Sequence, residues 1–233
     1  MALTKLPCIL IVTVGLHRSF IPPNVAARNE VVLRRGVVGR VIYGTTKPFD
    51  VVTWAVGLAE AVSIIAQRFP SWPLSKNIIF TLPVGRISQD LELTPLSVVG
   101  LLLVVSGAFL REYCYYTLGH FFTFEVSIRK GHRLITTGPY RSVRHPGYTG
   151  MVLLYFGTLF WCSARGSWIR ESGVLGTNFG KGVFGFMGII FTVLVFRLMV
   201  RMRSEDAVLK KAFGPEWDEW ARRVPYLIVP GVY

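Results

Sequence analysis

The sequence predicts an all-α, polytopic membrane helix bundle with about five transmembrane helices. Three observations carry that reading. Of 233 residues, 52% are hydrophobic and only 17% charged, against roughly 25% charged in an average soluble domain. The apolar residues come in long runs rather than amphipathic stripes, and mean hydropathy is +0.46. Arg and Lys bound those runs; they total 26 against 13 acids, a formal net charge of +13. Such hydrophobicity excludes intrinsic disorder. A nucleic-acid binder would gather its excess base on a soluble face. Here the bases lie between apolar runs, where anionic headgroups attract them, so membrane lipid is the expected partner and no nucleic acid is. Cys8, Cys114 and Cys162 are isolated and odd in number, which argues against a disulfide framework or a zinc cluster.

The first run, residues 6–16, is short: it reads as a span or as the apolar core of a signal peptide behind Lys5. Residues 51–66 carry one acid, Glu60, and residues 93–110 none. Residues 147–163 and 183–200 complete the set, the last with Arg197 near its end. Each of these four approaches the roughly 17–25 residues that cross a hydrocarbon core of about 30 Å. Pro70, Pro73 and Pro83 make residues 67–92 a loop, with a short interfacial piece at residues 77–82.

Basic residues set the expected orientation. Segments 17–48, 111–146 and 201–233 hold eighteen Lys plus Arg; Lys5 and the two intervening loops hold seven. By the positive-inside rule the rich side is cytoplasmic. A cleaved signal would put the Arg-rich 17–48 segment outside, so five spans are expected, with the N-terminus outside and the tail inside. In that tail, Ser204 followed by Glu205 and Asp206 reads as a helix start. Gly214-Pro215 then divides the tail into two short helices.

One G-x-G-x-x-G match, Gly180, Gly182 and Gly185, opens a span on the expected outer side. A dinucleotide site would need a strand before it and a cytosolic helix after it, so these glycines read as helix packing. The informative stretch is residues 125–150, EVSIRKGHRLITTGPYRSVRHPGYTG. A juxtamembrane basic loop explains its Arg and Lys, but not His132, the T-T-G-P-Y turn, or Arg-His-Pro leading into the membrane. Pro146 suits the first turn of the fourth span, where its missing N–H costs nothing. The second stretch runs from Arg201 through Glu205, Asp206, Leu209, Phe213-Gly214, Trp217 and Trp220 to Arg223-Val-Pro225. Arg201 and Glu205 are four apart, so a continuing helix puts them on one face.

Together, H-x-L-x-T-x-G-P-Y-x-x-x-R-H-P-x-Y-x-G, one membrane hairpin, and E-[ED]-x-x-L-x-x-x-F-G-x-x-[YW]-x-x-[YW]-x-x-R-V-P resemble the isoprenylcysteine carboxyl methyltransferases over residues 120–230. The resemblance implies a multi-pass enzyme of the endoplasmic reticulum membrane with its active site facing the cytosol. It implies transfer of a methyl group from S-adenosylmethionine to the carboxylate of a C-terminal prenylated cysteine in CaaX-processed proteins. Residues 1–110 would be N-terminal spans and 111–233 the catalytic region, with a cytoplasmic cofactor-binding loop. It further implies cofactor contacts at Glu125, His132, Arg133, Leu134, Ile135, Tyr140, His145, Pro146, Gly147, Tyr148 and Glu205. Arg201 would be the catalytic residue that binds the substrate carboxylate. Glu125 stands where the family has Gln, Asp206 where it has a second Glu, and Trp217 and Trp220 where it has Tyr.

The chemistry suits these residues. A carboxylate is already ionised at neutral pH, so no general base is needed. Positioning and exclusion of water remain, and Arg grips a carboxylate bidentately. Two alternatives differ in what they need. A phospholipid amine acceptor would want acidic or aromatic groups where Arg201 stands. A non-catalytic transporter would place paired charges mid-membrane, where only Glu60 qualifies. The sequence ends Pro-Gly-Val-Tyr without a C-a-a-X box, so the chain is not expected to be a prenylated substrate itself.

Overall fold

A computed structural model describes residues 2–24, 30–33, 44, 46–75, 77 and 91–232. Long helices dominate: α1 (Lys5–Phe20), α2 (Thr46–Arg68), α3 (Pro95–Leu118), α4 (Pro146–Ser163), the one-turn α5 (Trp168–Glu171), α6 (Asn178–Phe213) and α7 (Pro215–Arg223). Two short strands, β1 (Val31–Leu33) and β2 (Val126–Ser127), pair antiparallel. The expected piece at residues 77–82 falls, beyond Asn77, outside the described residues.

Among the described residues, α2, α3 with the turn that follows it, and α6 are long and apolar enough to cross a membrane. That is three against the expected five; α1, with 16 residues, and α4, with 18, pack into the same bundle but are not among the helices long and apolar enough to cross. The first run is thus a member of the bundle, packed against α2 and α3. Large side chains such as Phe109, Ile189 and Phe196 face outward at 64–71% exposure, an apolar surface of the kind that lipid or another protein covers.

Glycine sets the closest contact, between α3 and α4. A Cβ on Gly100 would come within 2.7 Å of the Trp161 backbone, and one on Gly107 within 2.7 Å of the Gly150 carbonyl. From the other side, a Cβ on Gly157 would come within 2.8 Å of the Val104 backbone and one on Gly150 within 2.7 Å of the Arg111 stem. Membrane helices have little hydrophobic force between them and associate through such small-residue contacts. Of the Gly180 motif only Gly180 is crowded, where a Cβ would clash with the Val174 carbonyl of the preceding turn; a Cβ on Gly182 or Gly185 would meet nothing within 4 Å, so the expected helix packing does not extend to them.

The tail departs from expectation. No helix starts at Ser204; α6 runs unbroken from Asn178 to Phe213, 36 residues, or about 54 Å at 1.5 Å per residue. That exceeds a bilayer core of about 30 Å, so the helix carries its last turns out past the span. The reason is local: nothing from Arg197 to Phe213 is a breaker, and the ladder ends only at Gly214, with φ +54. Gly214-Pro215 does separate α6 from α7, as expected.

The two ends of the bundle differ. At one, the start of α1 meets the ends of α2 and α4. Lys5 Nζ lies 2.6 Å from Glu60 Oε1 and donates to the Gly166 carbonyl at 2.7 Å, with both side chains at 1–2% exposure. At the other, the ends of α1, α3 and α6 and the start of α4 surround a cavity.

Candidate active site

The cavity holds about 400 Å³. Its floor and sides come from α1, α3, α4 and α6, and its roof from the loop between α3 and α4 together with Trp220 of α7. The loop is shaped by turns. Gly138 opens a 3₁₀ turn, Gly138–Arg141, at φ +60, where a Cβ would sit 3.0 Å from Thr117 Oγ1; only glycine suits both conditions. His145 is the N-cap of α4 and Pro146 its first residue, as the missing N–H favours.

One carboxylate ties this turn to α6. Asp206 Oδ1 lies 3.0 Å from His145 Nε2, and Asp206 Oδ2 accepts from Arg144 Nη1 at 2.8 Å. The tail locks the same turn from outside. Backbone N–H groups of Arg144 and His145 donate to the carbonyls of Tyr226 (2.9 Å) and Leu227 (2.8 Å), and Thr149 Oγ1 donates to that of Ile228 (2.7 Å). Trp217 and Trp220 are buried with Cys114, Tyr140 and Val224, and Trp220 Nε1 donates to the Tyr140 carbonyl at 3.3 Å. The two tryptophans therefore hold the loop against α6.

One turn along α6 from Arg201, Glu205 accepts from the Tyr148 hydroxyl at 2.5 Å. The Tyr148 and His145 rings stack with centroids 5.4 Å apart. Arg201 also lines the cavity, and its Nε is buried with no hydrogen-bond partner. On the roof, His132 stacks on Phe121 at 4.5 Å and meets Phe213 edge-on. Burial, followed by repulsion from His120 and Arg129, holds the His132 imidazole below its ordinary value. Burial foremost, then the neighbouring Cys114 thiol, pushes the Tyr140 phenol well above its own. Both therefore meet the cavity as neutral rings at pH 7.

The expected site residues converge. Glu125, His132, Arg133, Leu134, Ile135, Tyr140, His145, Gly147, Tyr148, Arg201 and Glu205 all line the one cavity. Pro146 does not: it is buried in the first turn of α4, where it shapes the backbone rather than the wall. Sequence reasoning missed Arg111, counting it only as a topology charge. It is 5% exposed and lines the cavity. Its Nη2 donates to the Ser19 carbonyl (2.8 Å) and the Tyr115 hydroxyl (2.7 Å), and its Nη1 to the Gly147 carbonyl (3.1 Å). It thereby pins the end of α1 to the start of α4. A lone Arg inside a helix, four residues before a Tyr, was the available signal.

In chemical terms the cavity pairs a cationic lower wall (Arg111, Arg197, Arg201) with the carboxylates Glu125 and Glu205 beneath an aromatic and aliphatic roof. It can hold an anionic acceptor beside a cationic donor while excluding water from both.

Residues 98–165 match the model of the isoprenylcysteine carboxyl methyltransferase (ICMT) family. Over 131 residues the chain is 33% identical to a probable protein-S-isoprenylcysteine O-methyltransferase of Oryza sativa subsp. indica, covering 55% of this chain and 58% of that protein. It is 31% identical over 156 residues to the Homo sapiens protein-S-isoprenylcysteine O-methyltransferase, covering 65% and 48%. A Delta(14)-sterol reductase of Methylotuvimicrobium alcaliphilum is 28% identical over 108 residues, 46% of this chain and 21% of that protein. The chain thus spans about half the length of the curated methyltransferases it matches. No solved structure matches it.

Proposed function

We propose, from the match of residues 98–165 to the isoprenylcysteine carboxyl methyltransferase family model, that this protein moves a methyl group from S-adenosylmethionine to the carboxylate of a C-terminal prenylated cysteine. The observation that carries the reading is Arg201: of the two guanidinium groups on the cavity wall whose buried Nε has no partner, Arg144 is already paired with Asp206, which leaves Arg201. An unpaired buried polar group is costly, and an acceptor carboxylate would satisfy it. A sterol offers no such anion, and in a phospholipid amine the anion is the phosphate rather than the methyl-accepting group.

The residues present fit the donor. Glu205, held by Tyr148, and Glu125 are carboxylates suited to cationic groups, while Leu134, Ile135, Leu209, Phe213 and Trp220 form a roof suited to a flat purine. Bound S-adenosylmethionine would supply an activated methyl, leaving its electron pair on sulfur as the carboxylate oxygen forms the new C–O bond. Arg201 orients that oxygen. Asp206, through His145 and Arg144, keeps the Arg-His-Pro turn in place, and Arg111 fixes the Gly147 carbonyl beside it. His145, Gly147, Tyr148, Tyr140 and the 132–135 run make up the donor's cradle in this reading. No side chain is asked to take a proton. Residues 111–233 are the catalytic region, its cavity facing the cytosol from the endoplasmic reticulum membrane, with C-terminally prenylated proteins as substrates.

The test is transfer of a labelled methyl from S-adenosylmethionine to N-acetyl-S-farnesylcysteine by the purified protein in lipid. We expect ester formation. No transfer to this acceptor, together with transfer to phosphatidylethanolamine, would replace the carboxylate reading with the amine one.

A further inference from the structure

We infer that residues 225–228 act as a latch on the donor site, and that Thr149 is a positioning residue that fastens this latch. The inference rests on the S-adenosylmethionine reading and deepens it.

Four consecutive carbonyls of one segment converge on one turn. Arg144 Nη2 donates to that of Pro225 at 3.2 Å, and the Arg144 backbone N–H to that of Tyr226 at 2.9 Å. The His145 N–H donates to that of Leu227 at 2.8 Å, and Thr149 Oγ1 to that of Ile228 at 2.7 Å. In a regular strand successive residues face opposite ways, so this is not sheet pairing; the segment bends at residues 227–229 to aim its carbonyls together. Its side chains are not what holds it. Pro225 and Tyr226 are exposed, Leu227 and Ile228 only half-buried. Its start is anchored by Val224, which lies in the buried cluster of Tyr140, Trp217 and Trp220.

The Arg144-His145 turn is thus restrained twice. Its side chains go to Asp206 on α6, and its two backbone N–H groups go to the latch. Local capping does not replace the second restraint: His145 is the N-cap of α4 but makes no side-chain cap, because its Nε2 faces Asp206. Thr149 carries the fourth link, one residue after Tyr148. Its hydroxyl has a single proton, and the 2.7 Å contact to Ile228 receives it in preference to the 3.4 Å contact to the His145 carbonyl. Thr149 is not among the residues lining the cavity, so it reaches the donor only through the turn it fixes. Misplacement by about an ångström is enough to spoil a site. Coupling is also reciprocal: a donor that prefers the latched turn must tighten the latch.

Titration calorimetry with S-adenosylmethionine, and separately with N-acetyl-S-farnesylcysteine, compares the full-length wild type, Thr149→Ser and Thr149→Val in lipid. Thr149→Val removes one hydrogen bond of the latch and should weaken donor binding about threefold to tenfold. Thr149→Ser keeps the hydroxyl and should stay within about twofold of the wild type. Acceptor affinity and melting temperature should hold in both, which separates positioning from a general loss of structure. The wild type gives a second reading if Thr149→Val fails to fold. Saturating S-adenosylmethionine should slow chymotryptic cleavage after Tyr226, an exposed residue that does not line the cavity. Wild-type donor affinity in Thr149→Val, an equal fall for donor and acceptor, or cleavage after Tyr226 at the same rate with and without S-adenosylmethionine overturns the latch and leaves the donor reading intact. A wild type that binds no S-adenosylmethionine overturns both.

Discussion

The two ends of this helix bundle treat buried charge in opposite ways. Around Lys5 and Glu60 the cation and anion touch at 2.6 Å, a backbone carbonyl takes another lysine proton, and the Trp161 ring lies 5.2 Å from the ammonium. Nothing is left over for a ligand. Around Arg201 the opposite holds: arginines and glutamates share a cavity wall, Glu205 is bonded to Tyr148 rather than to Arg201, and the Arg201 Nε has no partner. A chain that neutralises its charges at one end, and at the other pairs Arg144 with Asp206 while leaving Arg201 and Glu205 unbonded to each other, holds those two for something it binds. Two membrane-embedded charges can thus mean opposite things, and only their partners separate the meanings.

Breaking the closed end should give the largest effect. Glu60→Ala strands Lys5, and removing one member of a buried pair costs about 3–5 kcal/mol; a denaturant titration in detergent should read that loss. The double change Lys5→Met, Glu60→Leu should recover most of it. Methylation per folded molecule should be normal in both, because the pair lies at the opposite end from the cavity.

Next come the groups proposed to hold the donor. His145→Ala and Glu205→Ala should each weaken S-adenosylmethionine binding about tenfold to a hundredfold, about 1.4–2.7 kcal/mol, by titration calorimetry. Wild-type affinity in both would remove them from the site.

The comparison also has a direction across the membrane. Ser142, near the cavity, and Leu175, near the closed end, are exposed. Cysteine placed at each should be labelled from opposite sides, Ser142→Cys from the cytosol. Labelling of both from one side would contradict the five-helix topology.

The smallest effect concerns His132. Its imidazole is held below the ordinary 6.5, so the folded state binds the proton less readily than the unfolded chain. Stability should therefore fall as pH drops below about 6.5, and stop falling once the folded imidazole is itself protonated. Thermal melts at pH 7.5 and 5.5 should differ by less in His132→Phe, which preserves stacking on Phe121.

Much of this was legible beforehand because one-dimensional signals carried it. Gly138-Pro139 and His-Pro146 announced the turn and the start of α4, and the spacing of Arg201 and Glu205 announced a shared face. Ser204 misled because a cap signature is local, whereas the uninterrupted run of helix formers from Arg197 to Phe213 decides. Arg111 and the Lys5–Glu60 pair were hidden for another reason. Their partners on other helices are 36 to 92 residues away for Arg111 and 55 for Lys5, and no periodicity reports a contact between helices. Asp206 looked like a substituted second acid; its role emerged only when α6 came against the Arg144-His145 turn.

Arg201 holds the acceptor carboxylate in the proposed reaction, and the most direct test is methyl transfer to N-acetyl-S-farnesylcysteine by Arg201→Ala and Arg201→Lys, read beside their S-adenosylmethionine affinity. Lysine keeps the charge but loses the planar two-pronged grip. We predict that Arg201→Lys loses most turnover and Arg201→Ala nearly all of it, a fall of about a hundredfold or more, equivalent to about 2.7 kcal/mol of transition-state stabilisation. Donor affinity should stay within about twofold. Near-normal methylation by Arg201→Ala would contradict the account and pass the carboxylate to Arg197 or Arg144.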